Sequence, residues 1–254
     1  MMPPKAIGTL LLCLLFVGNS QAAVSLAGTR LIFDGRFREA SIEASNTGDQ
    51  EVLLQAWLSD ADEHAASDPD DLPFAVTPHL VRLPARGKQS LRVLYEGLGM
   101  PVERESLLHL YVMDIPRRSD AQQQLTIAVR QRLNVFYRPA GLSGDPAEAA
   151  QALTWHLGTG PGGELRLQVR NPTPFHVSLL ALQFDGQHVR DDWLIKPGET
   201  KAMPLHEVVG SGRLSFRALT DYGGQRAYCA DLNADKPAAA QLTTGTSKSL
   251  IGKC

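Results

Sequence analysis

Apolar and polar residues alternate along this chain in short runs bounded by Gly, Pro, Asn and Asp, a pattern that predicts β-strands rather than helices. Ala40, Ile42 and Ala44 share one parity against Ser41, Glu43 and Ser45, and the run ends at the turn Asn46-Thr47-Gly48. Val52, Leu54, Ala56 and Leu58 repeat the alternation, with Trp57 on the opposite face. Further strands are predicted around Leu91, Val93 and Tyr95 and along Leu107 to Ile115, while Pro73, Pro78, Pro84 and Pro101 fall between runs, where a missing N–H harms a sheet least.

Leu125 to Tyr137 is the longest predicted strand. Its inward parity is Leu125, Ile127, Val129, Leu133 and Val135, interrupted only by Gln131, and it exceeds what one small sandwich ordinarily uses. Pro139-Ala140-Gly141 breaks it, and the alternation resumes at Leu165, Leu167 and Val169, at Leu179 to Phe184, and at Leu214, Phe216 and Ala218. A boundary between Pro139 and Asp145 therefore divides the chain into an N-terminal domain over 23–140 and a C-terminal domain over 145–254. No internal repeat is visible, and from Asp231 onward the Ala, Lys, Thr and Gly content predicts an irregular tail.

The first 22 residues change the picture of where the protein works. One positive charge at Lys5, an apolar run from Leu10 to Val17 and the small-residue stretch Ser20-Gln21-Ala22 make a cleavable signal peptide. The run is too short to span a bilayer, so no membrane insertion is expected. Without Lys5 the balance is 24 basic residues (25 − 1) against 27 acidic ones, without a basic block, which argues against nucleic acid as a partner. Cys229 and Cys254 remain after cleavage; in an exported chain they read as one disulfide, the alternative being two free thiols.

Catalytic and metal-binding patterns are weak. Gly158, Gly160 and Gly163 match a phosphate-loop spacing, but Pro161 interrupts it and a strand pattern follows where a helix is needed. The histidines lack paired ligand spacing and read as solvated or capping groups. The acidic stretch from Asp60 to Asp71 lacks the ordered spacing and central glycine of a calcium loop. No enzyme activity, cofactor or metal is expected.

Specific motifs occur in order along both halves. Thr29-Arg30-Leu31-Ile32-Phe33-Asp34-Gly35, Gln55-Ala56-Trp57, Arg104-Glu105-Ser106-Leu107, Ile115-Pro116, Phe136-Tyr137-Arg138-Pro139, Asn171-Pro172-Thr173-Pro174-Phe175 and Asp221-Tyr222-Gly223-Gly224 together resemble the PapD-like periplasmic chaperones of the chaperone-usher pathway. The resemblance implies two immunoglobulin-like β-sandwich domains arranged in an L or boomerang shape with a cleft between them. It also implies a periplasmic chaperone that completes pilus subunits by donor-strand complementation and hands them to an outer-membrane usher. The alternative is a secreted immunoglobulin-like adhesin or pilus component.

Carried over residue by residue, the resemblance makes Leu125, Ile127 and Val129 the donor side chains and Arg30 one half of an anchor for a subunit's terminal carboxylate. The other half is a lysine in the family, and Asn134 stands there in this chain. Arg132, two residues earlier on the same strand face, is the expected substitute cation, the alternative being a solvated strand residue. Glu105, Arg138 and Asp221 match an interdomain charge cluster that fixes geometry more than it stabilises.

Overall fold

The computed structural model describes residues 24–61, 72–117, 127–205, 210–234 and 236–243, and all its regular elements are β-strands. The first half forms β1 (Val24–Leu26), β2 (Arg30–Asp34), β3 (Glu39–Asn46), β4 (Val52–Asp60), β5 (Phe74–Thr77), β6 (Leu80–Leu83), β7 (Lys88–Tyr95), β8 (Ser106–Pro116) and β9 (Val129–Arg138). They make two facing sheets, ordered β1-β3-β7-β5 and β2-β9-β8-β4-β6. The chain switches sheets between β1 and β2, so one edge segment serves both layers.

Alternation does the work the sequence pattern predicts. Val52, Leu54, Ala56 and Leu58 of β4 are all buried while Trp57 faces outward, and they meet Leu91 and Val93 of β7 and Leu108, Leu110 and Val112 of β8 in one core. Phe33 sits at its end, edge-on to Phe74 at 5.6 Å, with Tyr95 and Tyr137 closing the aromatic group. Such a packed cluster contributes beyond its buried area through ring geometry.

The second half forms β10 (Thr154–Thr159), β11 (Leu165–Arg170), β12 (Val177–Phe184), β13 (Gln187–Ile195), β14 (Thr200–Pro204), β15 (Ser211–Leu219), β16 (Gln225–Asn233), β17 (Ala238–Ala239) and β18 (Gln241–Leu242). Its sheets are ordered β14-β11-β10-β17 and β13-β12-β15-β16-β18, around a separate core centred on Trp155, Phe184 and Phe216. Both halves are immunoglobulin-like sandwiches.

One expectation is corrected and two are sharpened. The tail is not irregular from Asp231: β16 continues to Asn233, β17 pairs with β10 and β18 with β16, and Ala240 is buried. Ala238 pairs opposite Trp155 there, and such small residues carry little signal in a reading of hydrophobic runs. Gly158, Gly160 and Gly163 belong to the β10–β11 hairpin, where Gly160 N–H donates to the Glu164 carbonyl and Gly163 takes a φ of 82°. The run Leu179 to Phe184 carries a bulge near Ala181, whose φ is 49°, and the shift in parity is what lets Leu179, Leu182 and Phe184 all be buried.

A repeat invisible in sequence recurs in both sandwiches. Asn46 ends β3 and Asn171 follows β11, and both are buried. Each donates through Nδ2 to three carbonyls, those of Gln50, Leu83 and Pro84 for Asn46 and of Phe175, Ile195 and Lys196 for Asn171. Each Oδ1 accepts the N–H two residues on, from Gly48 and Thr173. An asparagine is the residue that satisfies carbonyls and an N–H at once from a buried strand end.

Candidate functional site

β9 connects everything of functional interest, and its two ends face different surroundings. From Asn134 to Arg138 it lies between β8 and β2, with Arg30 opposite Asn134 in the parallel pairing and His109 opposite it on β8. From Val129 to Leu133 only β8 flanks it among the described residues, because the chain before Arg30 has turned away to β1. Among the described residues, half of this strand therefore presents an open edge.

The predicted donor residues divide along this line. Ile127 is 64% exposed, Val129 is half-buried, and Leu133 and Val135 on the same parity are buried in the domain's own core. Leu125 lies outside the described residues. The observed strand starts at Val129, two residues beyond the exposed Ile127. Gln131, the interruption in the apolar parity, donates its side-chain N–H to the Val24 carbonyl at 2.9 Å.

Between the two sandwiches lies a cavity of about 270 Å³, with Arg30, Ile32, Phe136 and Arg138 on one wall and Val177, Ala218, Asp221 and Tyr222 on the other. The Arg30 guanidinium lies over the Phe136 ring at 5.5 Å, and its Nε is buried without a hydrogen-bond partner. Burial lowers its pKa below the ordinary guanidinium value, against the opposing charges of Asp221 and Glu105. A cation held this way has unused hydrogen-bonding capacity for an anion. Asn134 stands beside it in register, whereas Arg132 is exposed, one step along the same face and opposite Tyr111.

The structure brings Glu105, Arg138 and Asp221 together. Arg138 Nε donates to Glu105 Oε1 at 2.6 Å, and its two terminal nitrogens donate to Asp221 at 2.7 and 2.9 Å. Burial opposes the charge of Arg138, but the Asp221 hydrogen bonds and the adjacent Glu105 outweigh it and raise its pKa. Glu105, only 3% exposed, also accepts the backbone N–H of His176 at 2.7 Å, and its own N–H donates to the Pro174 carbonyl at 2.9 Å. The Asn171-to-Phe175 motif, shaped by the Asn171 side chain, is thus the second sandwich's half of the joint.

His176 is a site residue that sequence reasoning missed. Far from being solvated, its side chain is 4% exposed, with Nδ1 3.3 Å from Glu105 and the ring 5.2 Å from that of Phe136. His109 is also buried, on the outward face of β8 near Tyr111. A contact made across the domain joint leaves no local spacing to read. Cys229 is buried and disulfide-bonded, and Cys254 lies outside the described residues.

Comparison with known proteins decides the family. Residues 23–143 match the family described as pili and flagellar-assembly chaperone, PapD N-terminal domain, and residues 148–230 match the PapD C-terminal domain of pili assembly chaperones. The chain belongs to the PapD-like pilus-assembly chaperones. Among PapD-like relatives, the probable fimbrial chaperone YadV of Escherichia coli is 32% identical over 224 residues, covering 84% of this chain and 91% of YadV. The chaperone FimB/FhaD of Bordetella pertussis is 33% identical, covering 82% and 88%. The crystal structure of YadV aligns with a TM-score of 0.68 over 83% of this chain and all of YadV. The SafB chaperone of Salmonella enterica, solved in complex with the SafA pilin, aligns at 0.70 with 26% identity, over 89% and 99%.

Proposed function

We propose that this PapD-like chain binds incomplete pilus subunits in the periplasm by lending them the open half of β9, and passes them to an outer-membrane usher. The observation that carries the reading is that no described strand covers the flank of Val129–Leu133, which is continued by the exposed Ile127 and lies beside the cleft that holds Arg30. Strand addition needs unpaired backbone on the donor and alternating side chains for the acceptor's groove, and this segment offers both. Burying Ile127 and Val129 in a partner contributes about 3 kcal/mol before ordering costs are subtracted, with Leu125 adding to it.

Arg30 takes the subunit's terminal carboxylate, supported by its buried, unsatisfied Nε. Asn134 adds a neutral hydrogen bond next to it, and the exposed Arg132 supplies the second positive charge. The Glu105–Arg138–Asp221 cluster sets the angle between domains 23–140 and 145–254, so that the cleft fits the subunit. Residues 1–22 serve as the export signal, Cys229 pairs with Cys254, and the chain carries no enzymatic activity or cofactor.

The test is co-expression with a pilin subunit, scored by soluble subunit recovered from the periplasm. Arg30→Ala should reduce recovery at least tenfold, Arg132→Ala should reduce it severalfold, and Asn134→Lys should raise it in the Arg132→Ala background. Undiminished recovery with Arg30→Ala would overturn the anchor, and undiminished recovery with Arg132→Ala would remove that residue from it.

A further inference from the structure

The half of β9 with a free flank is gripped in an unusual way. A strand paired on one side only is ordinarily among the first segments to open. Here three side-chain contacts oppose opening. Asp114 Oδ1 accepts the Val129 N–H at 2.9 Å, at the point where the strand begins. Gln131 Nε2 donates to the Val24 carbonyl at 2.9 Å, tying the strand to β1 in the facing sheet. On the outer face, the Arg130 guanidinium lies 5.3 Å from the centre of the Tyr111 ring, which stacks on Trp57 at 5.3 Å with 13° between the planes.

Asp114 and Gln131 are the wrong residues for a core and the right ones for a latch. Asp114 follows Leu108, Leu110 and Val112 on the inward parity of β8 and is only 4% exposed. Gln131 stands on the inward parity of β9, between half-buried Val129 and buried Leu133. Apolar residues at both places would extend the core, whereas buried polar groups lower stability unless they find partners. Their partners are the Val129 amide and the Val24 carbonyl, so the pair sits where the domain's own core ends and the exposed apolar side chains begin.

We propose that Asp114 and Gln131 are positioning residues that hold the free half of β9 extended before a partner arrives and keep Val129 and Ile127 out of the chain's own core. The inference rests on the subunit-binding reading above and deepens it. A donor segment already in strand conformation loses less entropy when a second strand pairs with it, which favours both speed and affinity of capture.

Two measurements test the latch and keep it distinct from the subunit-binding reading. In hydrogen exchange on the free chain, Gln131→Glu, which keeps the length but removes the donor, and Asp114→Ala should each speed exchange across 129–133 about five- to tenfold. Amides of β3 and β7 should keep their wild-type rates, and Asp114→Asn, which retains an acceptor oxygen, should keep most of the protection. Capture of a pilin subunit that the unmodified chain recovers should slow by a similar factor. Unchanged exchange at 129–133, acceleration spread equally over β3 and β7, or faster exchange with no slowing of capture would each overturn the latch. Because exchange is read without any partner, the latch can fail while Arg30→Ala still abolishes subunit recovery.

Discussion

Arg138→Ala is the most informative single perturbation of the joint between the sandwiches. The substitution removes three hydrogen bonds to carboxylates, one to Glu105 and two to Asp221, and the contact of the guanidinium with the Phe175 ring at 5.4 Å. What remains matters more. The Glu105 side chain is 1% exposed and would be left with the His176 groups and the more distant charge of Arg30 to offset it. Removing one partner of a buried pair costs about 3 to 5 kcal/mol, because the other charge is left in a poorly solvating site. The Asp221 half is about a third exposed and adds no more than about 1 kcal/mol. The expected loss is therefore about 4 kcal/mol, measured by urea unfolding followed through tryptophan fluorescence. Asp221→Ala leaves the Glu105–Arg138 pair intact and should cost only about 1 kcal/mol, yet it cuts the bidentate bond across the joint and should broaden the solution-scattering distance distribution. A loss below about 1 kcal/mol for Arg138→Ala, or a scattering profile unchanged by Asp221→Ala, would refute the assignment of this cluster as the element that fixes the domain angle.

Three further outcomes follow from particular contacts. A methyl on Gly35 would lie 2.9 Å from the Arg138 carbonyl oxygen and 3.0 Å from Pro139 Cα, so Gly35→Ala must shift backbone and should destabilise the first domain by about 1 to 3 kcal/mol in the same assay. Asn171→Ala strips three carbonyls and the Thr173 N–H of their partner and should cost about 3 kcal/mol, with loss of protection at the His176 amide in hydrogen exchange. Burial and the hydrogen bond with Tyr95 push the Tyr137 pKa up to about 12, above the ordinary value of about 10 for a free tyrosine. The folded state thus holds this proton more tightly than the unfolded chain does. The resulting stability, about 3 kcal/mol at most, is present below pH about 10 and is lost as pH rises through about 12; Tyr137→Phe should abolish that alkaline loss.

Much of the fold was legible because strand alternation is local. The inward residues of β3, β4 and β7 could be read from parity alone, and the two cores lie either side of the stretch between Tyr137 and Ala149. β13 could not be read this way, since only Trp193 and Ile195 near its end are buried, Val189 packs partly against the core, and most of the rest of this edge strand is exposed. The charge cluster was visible only through family resemblance, because Glu105, Arg138 and Asp221 are far apart in sequence. His176 and the carbonyl of Pro174 escaped even that, their roles depending on backbone positions delivered by the Asn171-centred loop. Gln131 stands out in the sequence only as an interruption of the apolar parity. Its meaning required Val24, more than a hundred residues earlier, to be placed beside it.

Strand addition by a pilus subunit at the open flank of β9 should leave a direct mark on its backbone amides. Hydrogen exchange of the backbone amides from Val129 to Leu133, compared between the free chain and its purified complex with a pilin subunit, tests this most directly. Exchange there should slow by about a hundredfold or more on complex formation, as new inter-strand hydrogen bonds close the flank. Unchanged exchange along this segment, with new protection confined to edges of the second sandwich, would contradict it.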